Sequence, residues 1–370
     1  MVVVSSEADG IPAANLDGWN RKSWKLLRSG FQISLPLISR FFRFTSLARQ
    51  MPGIDPRAGI HAWIVKRFST ASGDTVEDRR KPAFLSLSLL EARASSRVSV
   101  SNLEIEGPVT TVPARLYRPK GTTSANVPLL IYLHFGGCVL GDLDTCHTAC
   151  SLISEQSGCL VLSVAYRLAP EHQFPAALED TLAAFRWVRT NAHSIGADPT
   201  CVAIGGDSAG GYLALAASLC LRDQQQDMPR LQLLIYPVVD MDRRAMPITP
   251  YDRNYPLSRA DMIWFAEQYM RAPVDAYDPR CSVGRAKSLS GLPPTIMVHA
   301  GNDVLLPEGQ ALGERLAREG NSVTTLNYPS LPHAFTAMSG GVPRAREALV
   351  EIANTLSAHI KASAQGRIER

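Results

Sequence analysis

Residues 201–219 read CVAIGGDSAGGYLALAASL. A short apolar run, Cys201 to Gly205, meets Gly206-Asp207-Ser208-Ala209-Gly210, and an Ala- and Leu-rich stretch with helical periodicity runs on to Asp223. This is G-x-S-x-G between a strand and a helix, the context in which the pattern carries chemistry. A turn this tight holds its serine in a strained conformation, and the flanking glycines keep other side chains away. Ser208 Oγ is thereby lifted off the sheet. The helix behind it offers backbone N–H groups and a positive dipole end to a developing oxyanion, with Ala209 N–H nearest.

Outward from this unit the same alternation repeats. Candidate strands are Val112–Tyr117, Pro128–His134, Leu160–Tyr166, Leu231–Val239, Thr295–Ala300 and Val323–Tyr328. Helical periodicity fills Ala176–Thr190, Glu308–Glu319 and Val342–His359. The strands are unbroken apolar runs such as Leu129-Leu-Ile-Tyr-Leu, as expected where helices cover both sheet faces. The fold class is therefore α/β: a doubly wound, mostly parallel sheet. Residues 240–290, rich in Asp, Arg, Pro and Tyr, break the alternation and read as a lid with one helical piece, Ser258 to Arg271. The expected division is an N-terminal cap segment 1–100, a core 101–239, a cap insertion 240–290 and the rest of the core 291–370.

Acyl transfer needs donors around the developing oxyanion, and His134-Phe135-Gly136-Gly137 closes a strand with paired glycines. Their backbone N–H groups can approach a carbonyl oxygen unhindered, so Gly136, Gly137 and Ala209 are the candidate oxyanion donors. A serine hydroxyl also needs a base, and the base an orienting acid. His333 follows the last strand and Asp303 the strand before it, giving the order Ser, Asp, His along the chain. His172, His299 and His359 read as structural. Asp240 and Asp242 also follow a late strand, but they stand beside Arg243 and Arg244, where ion pairing is the expected role.

Composition narrows the function classes. The chain has 370 residues, a net charge of +4 and no Lys/Arg run, so nucleic-acid binding is not expected. Seven cysteines, an odd number without a C-x-x-C pair, point to free thiols in a reducing compartment, hence a cytoplasmic protein. Cys146, His147 and Cys150 lack a second pair at zinc spacing, so no metal site is assigned. No stretch is apolar enough to span a membrane. Residues 17–50 carry a net +6 interleaved with Trp19, Trp24, Phe31, Phe41, Phe42 and Phe44. The expectation there is a pair of helices packing one face over a pocket and leaving the charges in water. A membrane contact is not expected, and a homodimer stays open.

With these residues in hand, the chain resembles a bacterial-type esterase of the hormone-sensitive-lipase-like family, in the subgroup whose elbow reads GDSAG. The resemblance covers roughly residues 110–362. It rests also on His134-Phe-Gly-Gly against the family's HGGG, on Tyr166-Arg-Leu-Ala-Pro-Glu171 with Phe174-Pro-Ala-Ala177, on Asp303-Val-Leu against D-P-L and on His333-Ala-Phe against H-G-F. Phe135, Ala334, Tyr212 and Pro307 depart from the family pattern without removing a catalytic group. The resemblance implies an N-terminal cap, a bracing role for Arg167 and Glu171, and hydrolysis of short- to medium-chain acyl esters without a cofactor. A plant gibberellin receptor shares the fold but lacks the histidine, which is present here.

Overall fold

The computed structural model describes residues 21–69, 75–80, 89–122 and 126–368. Of the expected N-terminal features, Trp19 and the Trp24 side chain lie outside what is described. Eight strands form one sheet: β1 Val98–Ile105, β2 Val112–Pro119, β3 Val127–Leu133, β4 Leu160–Val164, β5 Ala197–Asp207, β6 Gln232–Ile235, β7 Thr295–Asn302 and β8 Val323–Pro332. Their order is β1-β2-β4-β3-β5-β6-β7-β8. From β4 across to β8 every neighbour is parallel, while β1 and β2 form an antiparallel edge.

Strand alternation distributes the helices over the two faces. Leu129, Ile131 and Leu133 of β3 join one core with α5 (Ala176–Asn191), α6 (Ala209–Asp223) and α8 (Leu306–Arg318). Leu130 and Tyr132 point the other way, into a core with α4 (His147–Ser157) and α9 (Pro343–Ile368). The N-terminal helices α1 (Arg21–Ile38), α2 (Ser46–Gln50) and α3 (Pro56–Ser69) attach to this second core through Leu35, Phe42, Ala58 and Ile60.

Several expectations change. The strand expected to run to Val239 stops at Ile235, because Tyr236 turns left-handed (φ 35°) and Pro237 has no N–H for the ladder. β1 and α4 were not expected. Asn102 and Glu104 dilute the apolar pattern of β1, and Thr, Ser and Cys crowd α4. The boundary at residue 100 therefore cuts through β1. The apolar residues of α1 are not all turned inward: Leu26, Ile33 and Leu37 are exposed. In the insertion, α7 (Arg259–Tyr269) starts at a Ser258–Asp261 capping box and buries Met262.

Candidate active site

Ser208 occupies the turn between β5 and α6 at φ 55°, ψ −116°, a region that L-residues seldom adopt. The two glycines are required by contact. A Cβ on Gly206 would stand 2.1 Å from the Leu133 carbonyl oxygen, and one on Gly210 only 1.9 Å from the same atom. The strand end and the helix start thus both press on the end of β3, and Ser208 N–H is fixed by Ile235 O at 2.9 Å.

The three residues expected to act together are together. His333 Nε2 lies 3.0 Å from Ser208 Oγ, and His333 Nδ1 lies 2.7 Å from Asp303 Oδ2. The second Asp303 oxygen accepts Leu305 N–H at 2.9 Å. All three side chains are buried. With Nδ1–H donating to the carboxylate, Nε2 is left as the acceptor for the serine hydroxyl. Asp240 and Asp242 stay apart from this line: both reach Arg285, at 2.9 and 3.3 Å, and Asp240 also accepts Ser282 Oγ–H.

Gly136 and Gly137 follow the end of β3 at φ 123° and 64°. A Cβ on Gly136 would meet Leu140 O at 2.1 Å, and one on Gly137 would enter the Phe265 ring of α7 at 2.4 Å. Helix α7 therefore rests directly on this loop, and only glycine leaves it room. Ala209, as the first residue of α6, has an N–H with no intrahelical acceptor. Tyr166 braces the loop from below: its O–H donates to His134 O at 2.7 Å, and its ring stacks on His134 at 4.3 Å. Burial pushes the His134 pKa down.

Residues that sequence reasoning missed complete the frame. Asp207, beside the serine, accepts O–H groups from Thr336 (2.6 Å) and Tyr236 (3.1 Å). The Tyr236 ring lies 4.8 Å from the His333 ring, so one buried carboxyl ties the elbow to the histidine loop. Burial raises the Asp207 pKa, while the bonds from Thr336, Tyr132 and Tyr236 oppose it. Arg80 donates to Val139 O and Ala169 O, both at 3.0 Å, and pairs with Glu171 at 2.7 Å. Glu171, expected to brace the loop, thus does so through Arg80, which holds its pKa near 2. Arg167 instead pairs with Asp180 at 2.8 Å. No spacing rule connects residue 80 to residue 139, so this contact left no signal in the sequence.

The family departures are accommodated. Ala334 sits left-handed at φ 58°, where glycine fits without strain. Tyr212 O–H donates to Arg280 O at 2.8 Å, fastening α6 to the 240–290 segment. After Pro307, Glu308 binds Val239 N–H and pairs with the buried Arg243 at 2.6 Å. Cys146 and Cys150 are buried with sulfurs 3.6 Å apart, and His147 Nδ1 faces Tyr117 O–H at 2.9 Å. Among the described residues no group of three His, Cys, Asp or Glu side chains is placed to hold a metal. A cavity of about 380 Å³ walled by Val239, Met262, Val304 and Leu312 lies beside the acid loop rather than over Ser208.

The sheet order, the serine elbow and the donor loop define a class, and comparison with known proteins agrees. Residues 130–337 match the family model described as the alpha/beta hydrolase fold. The chain belongs to that family, within its hormone-sensitive-lipase-like branch of carboxylic ester hydrolases. It is 42% identical over 244 residues to the carboxylic ester hydrolase LipN of Mycobacterium tuberculosis, spanning 64% of each chain. It is 36% identical over 252 residues to the ethyl acetate hydrolase of Pseudomonas putida, covering 68% of this chain and 79% of that one. Among solved structures, LAE6, an alpha/beta hydrolase enzyme from the metagenome of Lake Arreo, superposes with a TM-score of 0.77. It shares 34% identity over 84% of this chain and 99% of that chain.

Proposed function

We propose that this chain hydrolyses short- to medium-chain carboxylic esters through an acyl-enzyme on Ser208. His333 takes the serine proton as Oγ attacks the ester carbonyl, and Asp303 holds the imidazole in the tautomer that can do so. Gly136, Gly137 and Ala209 N–H groups receive the oxyanion. His333 then protonates the leaving alcohol, and water, activated by the same histidine, releases the acid. Residues 240–290 and the N-terminal segment are the cap, with Phe265 as its contact on the donor loop. No helix of the described residues is long and apolar enough to cross a membrane. The seven buried free thiols support a cytoplasmic location.

The observation that carries this reading is the unbroken line from Asp303 through His333 to Ser208, at 2.7 and 3.0 Å, on a strained elbow. The test is turnover of p-nitrophenyl acetate and butyrate, with phosphonate labelling mapped by mass spectrometry. Activity lost in Ser208→Ala and an adduct on Ser208 are expected. An adduct on another serine, or turnover in Ser208→Ala, ends the assignment.

A further inference from the structure

Helix α1 and the 3-10 turn that continues it, Ser39–Phe44, carry apolar side chains on two sides, one of them turned away from the protein. At about 100° per residue, Leu26, Ile33 and Leu37 fall within about 40° of one another, and Arg28 and Leu35 lie roughly opposite. It is the second side that seats on the protein. Leu35, Arg28, Ser39 and Phe42 are buried, and Gln32 donates to Leu89 O and Glu91 O, both at 2.9 Å. A second apolar stripe faces outward: Ile33 is 80% exposed, Leu37 62%, and beyond them Phe41 63% and Phe44 72%. A helix needing only the core for its stability would turn this stripe inward. An apolar stripe on the outer face marks an interaction surface.

Charge identifies the partner. Residues 21–50 contain seven Lys or Arg and no Asp or Glu, and of these Arg28 is turned to the protein. Arg40, Arg43 and Arg49 are exposed beside the aromatic residues, with the Arg43 guanidinium 4.8 Å over the Phe44 ring. A second copy of the chain docking on this face by two-fold symmetry would bring like charges together in an apolar contact, which is costly. An anionic bilayer meets both demands: acyl chains take the apolar stripe and lipid phosphates take the arginines. The geometry points to α1 and Ser39–Phe44 as a surface that lies in the interface of an anionic membrane. This reading does not depend on the proposed catalytic mechanism, since none of these residues touches Ser208, His333 or Asp303.

The test is flotation of the full-length protein with vesicles of phosphatidylcholine alone or mixed with phosphatidylglycerol. The protein floats with the mixed vesicles only, and salt releases it. Each arginine near an anionic surface is worth about fivefold in partitioning, so Arg40→Gln with Arg43→Gln lowers it roughly twenty-five-fold. Leu37→Ser with Phe41→Ser and Phe44→Ser abolishes it. Unchanged melting temperatures of both variants keep the result interpretable, because the replaced side chains are exposed. Equal partitioning to both vesicle types, or none, overturns the inference. So does a concentration-dependent dimer that the apolar substitutions dissolve, or binding that appears only after residues 1–20 are deleted.

Discussion

Replacing Asp303 by Asn puts the proposed mechanism under the most direct strain. Asp303 has its two oxygens committed, Oδ2 to His333 Nδ1 at 2.7 Å and Oδ1 to Leu305 N–H at 2.9 Å. An asparagine can keep only one of these. With its NH₂ toward the imidazole, it donates to Nδ1, moves the ring proton to Nε2 and leaves nothing to accept the Ser208 proton. With its NH₂ toward Leu305, two buried donors face each other, at a cost of about 1–3 kcal/mol. The side chain is buried, so water cannot repair either arrangement. In serine proteases the wrong tautomer costs about 10⁴-fold, or roughly 5.5 kcal/mol at the transition state. Asp303→Asn is therefore expected to lower kcat by about that factor, with a melting temperature within a few degrees of the wild type. Asp240→Asn and Asp242→Asn, each loosening a partly exposed contact with Arg285, stay within about tenfold. The assay is kcat on one short-chain p-nitrophenyl ester for all three variants. Near-normal turnover in Asp303→Asn with collapse in either of the others would refute the reasoning and move the acid to the earlier strand.

Three further outcomes follow from named contacts. Arg80→Ala removes a charged donor from Val139 O beside the donor loop, and a loss of about tenfold in kcat is expected if half or more of a charge-assisted bond reaches the transition state. Wild-type kcat with a merely raised KM would show that Arg80 only shapes the pocket. Glu91 is buried, and burial pushes its carboxyl up to about 8 against the pull of Arg28. A raised folded-state pKa means the stabilisation is complete below about 4.5 and is lost as pH rises to about 8, so the melting temperature should fall between about pH 5 and 8 and level off above that, and Glu91→Gln should flatten the fall. Ala334→Gly relieves a left-handed alanine worth about 1–2 kcal/mol of strain, less about 0.5–1 kcal/mol of added chain entropy, and should raise the melting temperature slightly. A lowered value would mean that the alanine methyl contributes packing that outweighs its backbone strain.

What was legible in the sequence was whatever depends on local spacing. The apolar runs of β3 and β7 lie close to their expected limits because burial on both faces removes any need for alternation, while β5 starts four residues before the expected Cys201, through the polar Asp198-Pro-Thr200. Ser208, Asp303 and His333 were readable because each follows a strand end, and strand order then brings the strand ends side by side. The antiparallel edge was not readable, since β1 is half exposed and its pattern is diluted. Arg80 and Asp207 escaped for another reason: their roles are set by contacts across 59 and 129 positions, between residues whose types are ordinary for a surface and a turn. The N-terminal segment was legible only in part. Its amphipathicity was plain, but periodicity alone cannot say which apolar residues look at the protein: Leu35 and Phe42 do, with Arg28, while Ile33, Leu37, Phe41 and Phe44 look outward.

The strained backbone positions say why the candidate site needs so elaborate a frame. Five non-glycine residues take positive φ among the described residues: Cys138, Ser208, Gln225, Tyr236 and Ala334. Cys138 follows the paired glycines, Ser208 is the elbow, Tyr236 packs on His333 and Ala334 follows it. Only Gln225, at the end of α6, is remote. Each left-handed residue costs about 1–2 kcal/mol, so four together store several kcal/mol, a sizeable part of an ordinary domain's net stability. Such strain persists only where surrounding contacts over-determine it. Those contacts can be named: the Leu133 carbonyl against Gly206 and Gly210, the Asp207–Thr336–Tyr236 bonds, Arg80 on Val139 and Phe265 on Gly137. The first two join different strand ends, and the other two reach the N-terminal segment at Arg80 and helix α7 at Phe265. The 136–137 loop, elbow and histidine loop are therefore held by the completed fold, and loosening α7 or the Arg80 contacts should cost activity before it costs the sheet.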